Sequence, residues 1–314
     1  MMKPGPDSTP VNSVLPVPAF LAAALALIVI WGTAYTMVSV GVDYIPPIWL
    51  VSLRCVLGAF LVTVFCYARG YRLPKLTDKR WAVYFGLGIT GMVAPFWLLS
   101  IGQISVDSGI AAIIVGAMPI LTIVLAHFFA HEPLTWRKFT GFVIGFFGIV
   151  ILFLPEDFSL ALISDWKAQA LILGAAFFYA VTTVAAKRAP DTSAVVGATI
   201  MLISAAITST AMALYSGIPE TMPPAIGWWM AVGLGVGSTA IGTILYLWVV
   251  EKSGPSAMAK INYFPPLISV LAGVWLLSEE FTYRAIIALV VILVGVALSR
   301  PRRRKRTVPP TPLA

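Results

Sequence analysis

Charge is scarce in this sequence. Asp, Glu, Lys and Arg make up 11% of its 314 residues, against about 25% in a soluble domain. That shortage excludes an ordinary water-soluble fold and implies a membrane protein. Acidic residues number only 13, and every one lies in a loop or near the end of an apolar run. A proton-coupled cation exporter usually needs a buried carboxylate, and an intramembrane aspartyl protease needs two. Both lack their essential group here. Histidine is rarer still. His127 and His131 stand four apart, a spacing that could hold a metal, but they are the only two in the chain and a di-iron membrane enzyme needs several such pairs. No metal site is expected. Cys55 and Cys66 are eleven residues apart on one apolar run, roughly 16 Å along a helix, too far for a mutual disulfide. No GxxxxGK[ST] phosphate loop occurs, so nothing in the chain hydrolyses ATP and no cofactor is expected.

What is abundant is apolar length. A membrane-crossing helix needs about 20 mostly apolar residues, and ten such segments are expected: 18–42, 46–68, 81–103, 108–130, 136–154, 166–186, 193–215, 226–250, 255–277 and 282–299. The fold class is therefore all-α membrane protein. Residues 1–17 read as a disordered tail, without the basic n-region or cleavage site of a removed signal peptide. The segment "RPRRRKR" (300–306) opens a basic tail, 300–314, that should stay in the cytoplasm because Lys and Arg near span ends resist translocation. Ten spans then put both termini inside. On that topology 17 of the 21 Lys and Arg are cytoplasmic. Only Lys167 and Arg284 lie outside, while Arg54 and Lys260 lie within spans. This distribution accounts for the net charge of +8 without a nucleic-acid partner.

The sequence also repeats itself. Shifted by 147, Trp81 meets Trp228, Gly86 meets Gly233, Gly88 meets Gly235, Pro119 meets Pro266, Glu132 meets Glu279, Thr135 meets Thr282, Arg137 meets Arg284 and Gly148 meets Gly295. A shift of 148 also brings "WGTAYT" (31–36) over "YAVTTV" (179–184), and a nearly constant shift across about 120 residues implies duplication: a first five-helix unit at 18–154, a linker at 155–165 and a second unit at 166–299. Five is odd, so the second unit enters the membrane inverted. Inverted repeats are a transporter architecture, with substrate bound near the midplane where helices break at corresponding places.

These features resemble the drug/metabolite transporter superfamily, in particular its EamA-type ten-helix exporters. The resemblance covers roughly 18–299 and rests on "IWGTAY", "GAMPILTIV", "HEPLTW" and "GFVIGFFGIVIL" in the first half. Their second-half counterparts are "FFYAVTT", "YFPPLISVL", "SEEFTY" and "ALVVILVGVAL". His131 and Ser278 stand where that family commonly has Gly before the Glu. Its aromatic residues make the chain similar to the YddG-type exporters of aromatic and other neutral amino acids. The resemblance implies an alternating-access exporter in the inner membrane that carries a small-molecule substrate, an amino acid, and works without a required oligomer. It also implies that the first, third, sixth, eighth and ninth spans line the cavity.

Seven residues on those spans are candidate substrate contacts: Trp31, Tyr35, Trp97, Tyr179, Tyr246, Lys260 and Tyr263. Any aromatic among them could equally be packing. Lys260 stands about five residues from the cytoplasmic end, roughly 8 Å deep, where a lysine can also snorkel to the headgroups. Its functional role would be to meet a carboxylate. Arg54, about eight residues into the second span from outside, costs about 2.5–3.5 kcal/mol on insertion scales. It either bonds carbonyls of neighbouring helices or faces the cavity. Pro95, Pro119, Gly242, Pro265 and Pro266 are candidate hinges, since proline removes a helix hydrogen bond and glycine loosens the turn. An exporter of lipophilic cations or drugs is the alternative within the same superfamily. The missing intramembrane acids count against it.

Overall fold

The computed structural model describes residues 17–131, 133–153, 165–253, 258, 261–262, 264–280 and 283–298. Lys260 and Tyr263 lie outside them. So do the N-terminal tail through residue 16, the linker from 154 to 164, Glu132 and the basic tail. Among the described residues the chain is all helical, with no strand. Seven helices are long and apolar enough to cross a membrane: Pro18–Val42, Pro47–Ala68, Lys79–Gly102, Ser108–Phe129, Trp166–Arg188, Ala194–Tyr215 and Ala225–Lys252. Pro265–Leu277 and Ala285–Leu298 are shorter apolar helices.

Several of these rods are divided. In chain order the helices are α1 (Val17–Val42), α2 (Pro47–Ala68), α3 (Lys79–Gly88), α4 (Ala94–Gly102), α5 (Ser108–Gly116), α6 (Met118–Ala130), α7 (Trp136–Phe153), α8 (Asp165–Ala185), α9 (Ala194–Tyr215), α10 (Ala225–Val232), α11 (Gly242–Ser253), α12 (Pro265–Leu277) and α13 (Tyr283–Leu298). Widened π turns join α3 to α4 at Ile89–Val93 and α10 to α11 at Gly233–Ile241. In them the Ala94 N–H donates to the Ile89 carbonyl, and the Gly242 N–H donates to the Gly237 carbonyl. Each bond spans five residues rather than four, the mark of a π turn, and such turns gather at functional sites. Pro119 lies in the first turn of α6, just past the α5–α6 break at Ala117. Pro265 and Pro266 open α12, where a missing N–H does least harm.

Helix ends follow local chemistry. Asp78 caps α3, its carboxylate accepting from the Arg80 backbone N–H at 2.9 Å and from the Arg80 guanidinium at 2.7 Å. Those bonds hold the Asp78 carboxyl down to about 2. Ser193 caps α9 through Val196 N–H. At the far ends of α6 and α12, His131 and Ser278 adopt left-handed φ values of 54° and 56°. Each closes its helix by an N–H bond, to the carbonyls of Ala126 and Gly273 respectively. These are turns where glycine is the usual residue, and here two other residues hold the same geometry.

Helix packing comes in matched sets. The α4 segment lies on α8, and the rod containing α10 and α11 lies on α1. The α5 and α6 segments also contact α8, while α12 contacts α1. The pairs α2–α9, α5–α12 and α7–α13 join like to like. The α7–α13 seam is built from small residues. A Cβ on Gly295 would lie 2.6 Å from the Gly141 carbonyl and 2.5 Å from the Gly145 nitrogen. Such approach is how helices associate where lipid removes the hydrophobic drive between them. Large apolar side chains cover the outside, among them Phe60, Phe147, Trp275 and Tyr283. A soluble protein would not leave so much apolar surface bare.

Candidate functional site

A polar and aromatic seam runs through the bundle where α1, α2, α4, α8 and the α10–α11 rod meet. At its centre is Arg54, 5% exposed. Its Nε–H donates to Thr239 Oγ1 at 3.2 Å and its Nη2 donates to Ser238 Oγ at 3.0 Å. Ser238 spends its own proton on the Leu234 carbonyl, at 3.0 Å, which turns its lone pairs toward the arginine. Both acceptors sit in the π segment of the eighth rod, so the widened turn places the hydroxyls that meet the cation. The guanidinium carbon lies 3.8 Å from the centre of the Phe96 ring, within cation–π range. Phe96 in turn meets Tyr179 edge to face, with ring centres 6.5 Å apart. Tyr35 and Tyr179 are both close enough to interact electrostatically with Arg54.

On the other side of Ser238 the seam continues. The Trp31 indole N–H donates to the Ser238 carbonyl at 3.3 Å, and the Trp31 ring stands 6.1 Å from that of Tyr246. A Cβ on Gly242 would strike Trp31 Nε1 at 2.6 Å, so this position must stay small for the indole to reach across. Among the described residues no carboxylate approaches Arg54. The cation is compensated only by hydroxyls and a ring face, an expensive arrangement in a low-dielectric site.

The structure brings four of the sequence candidates together: Trp31, Tyr35, Tyr179 and Tyr246. Trp97 and its neighbour Phe96 both pack against the cluster of Val51, Cys55, Val93 and Ala205, and Phe96 is the ring that lies over Arg54. Phe96, Ser238 and Thr239 were not singled out from sequence. The one available signal was Ser238-Thr239, two hydroxyls inside the glycine-rich stretch "GLGVGSTAIG". Cys55 and Cys66 are both buried and free. Among the described residues no group of three or more His, Cys, Asp or Glu is placed to hold a metal ion. Two apolar grooves lie away from the seam. One of about 350 Å³ is lined by Leu53, Phe60 and Trp228 among others. The other, about 370 Å³, is lined by residues including Leu125, Phe177 and Arg188. In the second groove Arg188 donates to the Phe129 carbonyl at the end of α6.

A helical membrane bundle with a buried cation and aromatic rings between its helices has the general architecture in which membrane transporters hold a solute. The chain belongs to the EamA-like transporter family, whose model matches residues 19–154 and 166–300. It is a multi-pass integral membrane protein. It is 28% identical over 277 residues to an uncharacterized transporter of Archaeoglobus fulgidus, covering 85% of this chain and 93% of that protein. It is 26% identical over 279 residues to the uncharacterized inner membrane transporter YedA of Escherichia coli K12, covering 88% and 89%. A probable terminal-alkyne amino-acid exporter of Streptantibioticus cattleyicolor is 24% identical over 269 residues, covering 81% and 84%. A solved crystal structure shares the fold, with a TM-score of 0.62 and 21% identity over 90% of this chain and 96% of that one.

Proposed function

We propose that the chain is an alternating-access exporter of neutral amino acids, aromatic ones included. It would consist of two inverted five-helix repeats, 18–154 and 166–299, rocking about the Arg54 seam. The observation that carries this reading is the seam itself: a buried cation for a carboxylate, set among rings for an apolar side chain. The matched helix pairings, the family match over two stretches and the π turns at corresponding positions support the repeat. The relative named as an amino-acid exporter supports the substrate class. Pro95, Pro119, Gly242, Pro265 and Pro266 would act as hinges, since each lies at or next to a break or a π turn. Trp97, Lys260 and Tyr263 remain proposed contacts on sequence grounds. The rival reading, export of lipophilic cations, is disfavoured because Arg54 would repel a cation and no described acid in the seam would attract one.

The basic loops support an orientation with both termini cytoplasmic, and the inner membrane transporter among the relatives supports an inner-membrane location. A reporter fused after Arg80 is expected to read cytoplasm and one after Phe158 the outer side. The same side for both would sink the inverted repeat. Function is tested in proteoliposomes at matched pH and zero potential. Labelled phenylalanine and leucine are expected to exchange against unlabelled amino acid trapped inside, because among the described residues no buried acid is there to demand a proton. Exchange of a lipophilic cation without amino-acid exchange would overturn the reading. Exchange that appears only with an imposed pH difference would overturn its proton independence.

A further inference from the structure

The guanidinium of Arg54 has five N–H donors. Its Nε–H and one Nη2 hydrogen are bonded to Thr239 and Ser238, and its face is covered by Phe96. Three N–H groups are left without a partner among the described residues, and two of them, one on each Nη, form the end-on fork that a carboxylate can meet with both oxygens. A structural arginine would be expected to spend those donors on the carbonyls of neighbouring helices, and both of its bonds go to hydroxyl oxygens instead. Those hydroxyls do not neutralise the charge. Phe96, met edge to face by Tyr179, covers the plane of the guanidinium so that its fork has one direction rather than many.

We propose that Arg54 is the carboxylate-binding residue of this transporter, with Ser238 and Thr239 as its positioning residues and Phe96 and Tyr179 as the wall for the substrate side chain. This rests on the amino-acid exporter reading and sharpens it: the substrate's carboxylate is obligatory, and its amino group is secondary. The acceptors on the π segment give the site a way to respond to movement. Rocking of the eighth rod against α2 would carry Ser238 and Thr239 relative to Arg54, exchanging hydroxyls for carboxylate around one cation.

The test uses the purified full chain in detergent, with tryptophan fluorescence, to which Trp31 in the seam contributes, and ligand-induced thermal stabilisation. Three probes share one ring: phenylalanine, 3-phenylpropionate without the amine, and phenethylamine without the carboxylate. Wild type is expected to bind the first two and to bind phenethylamine at least about 10-fold more weakly, since a charge-assisted contact corresponds to about a 10- to 100-fold change in Kd. Arg54→Gln should weaken the two carboxylates by that factor and leave phenethylamine unchanged. Arg54→Lys should recover part of the loss, because an ammonium keeps the charge without the fork. If wild type binds phenethylamine as well as phenylalanine, the assignment is overturned even if no Arg54 variant folds. Full phenylalanine affinity in a folded Arg54→Gln protein would overturn it equally, and the exporter reading would stand. Binding of none of the three probes by wild type would overturn both.

Discussion

Replacing Gly295 by leucine is expected to leave little folded protein. The new side chain would be directed into the α7 backbone, where even a Cβ lies 2.6 Å from the Gly141 carbonyl and 2.5 Å from the Gly145 nitrogen. Side chains can repack around an intruder, but two helical backbones in contact have nothing to move except themselves. Overpacking typically costs about 1–3 kcal/mol, and a backbone clash belongs at or above the top of that range. The seam has a second close approach, since a Cβ on Gly148 would lie 3.0 Å from the Ile292 nitrogen. Val294→Leu, on the exposed side of the same helix, is the control and should change stability by no more than about 0.5 kcal/mol. Thermal unfolding and monodisperse yield in detergent read both. Wild-type stability in Gly295→Leu would mean that α7 and α13 do not pack as described.

Lys260→Met is the second large effect. Methionine keeps an apolar stem and drops the charge, so a lysine that only snorkels would be replaced without loss of transport. If Lys260 meets the substrate carboxylate on its way in from the cytoplasm, the change removes a charge-assisted contact of about 1.5–3 kcal/mol, roughly a 10- to 100-fold loss of affinity. On the proposed topology Lys260 would stand nearer the cytoplasmic side and Arg54 nearer the outer side. The two cations would then act as successive stations for one carboxylate. The measurement is uptake into inside-out vesicles with amino acids and their decarboxylated amines. The loss should be large for the acids and small for the amines. Equal transport of both by wild type and variant would make Lys260 a membrane anchor and nothing more.

Much of the fold was legible because it depends on local properties. Apolar length located the helices, since a helix crossing lipid must satisfy its own backbone groups and meet hydrocarbon along most of its surface. Prolines located breaks, as at Pro119 and Pro265, because a ring nitrogen cannot donate wherever it stands in the tertiary structure. A single repeating register suggested that the two halves correspond, and the φ angles of His131 and Ser278 follow it residue for residue. Those two positions also show the limit of a residue-type rule: a left-handed turn common to glycine is held here by a histidine and a serine.

The faces of the helices were decided by the tertiary structure alone. In water an amphipathic stripe tells which side of a helix is buried, but here lipid and core are both apolar, so the pattern carries almost no facing information. That is why Phe96, one position before Trp97, could not be singled out from sequence as the ring that covers Arg54. The π turns compound the loss. Each inserts a residue into the helical repeat and rotates everything beyond it by roughly 100° relative to an unbroken helix, which brings Ser238 and Thr239 onto Arg54. Composition and charge determined that this is a membrane bundle and which residues are too costly to be accidental. Only the packing of the α10–α11 rod and α2 decided that Arg54 meets hydroxyls instead of an acid, and with that the kind of ligand its charge can take.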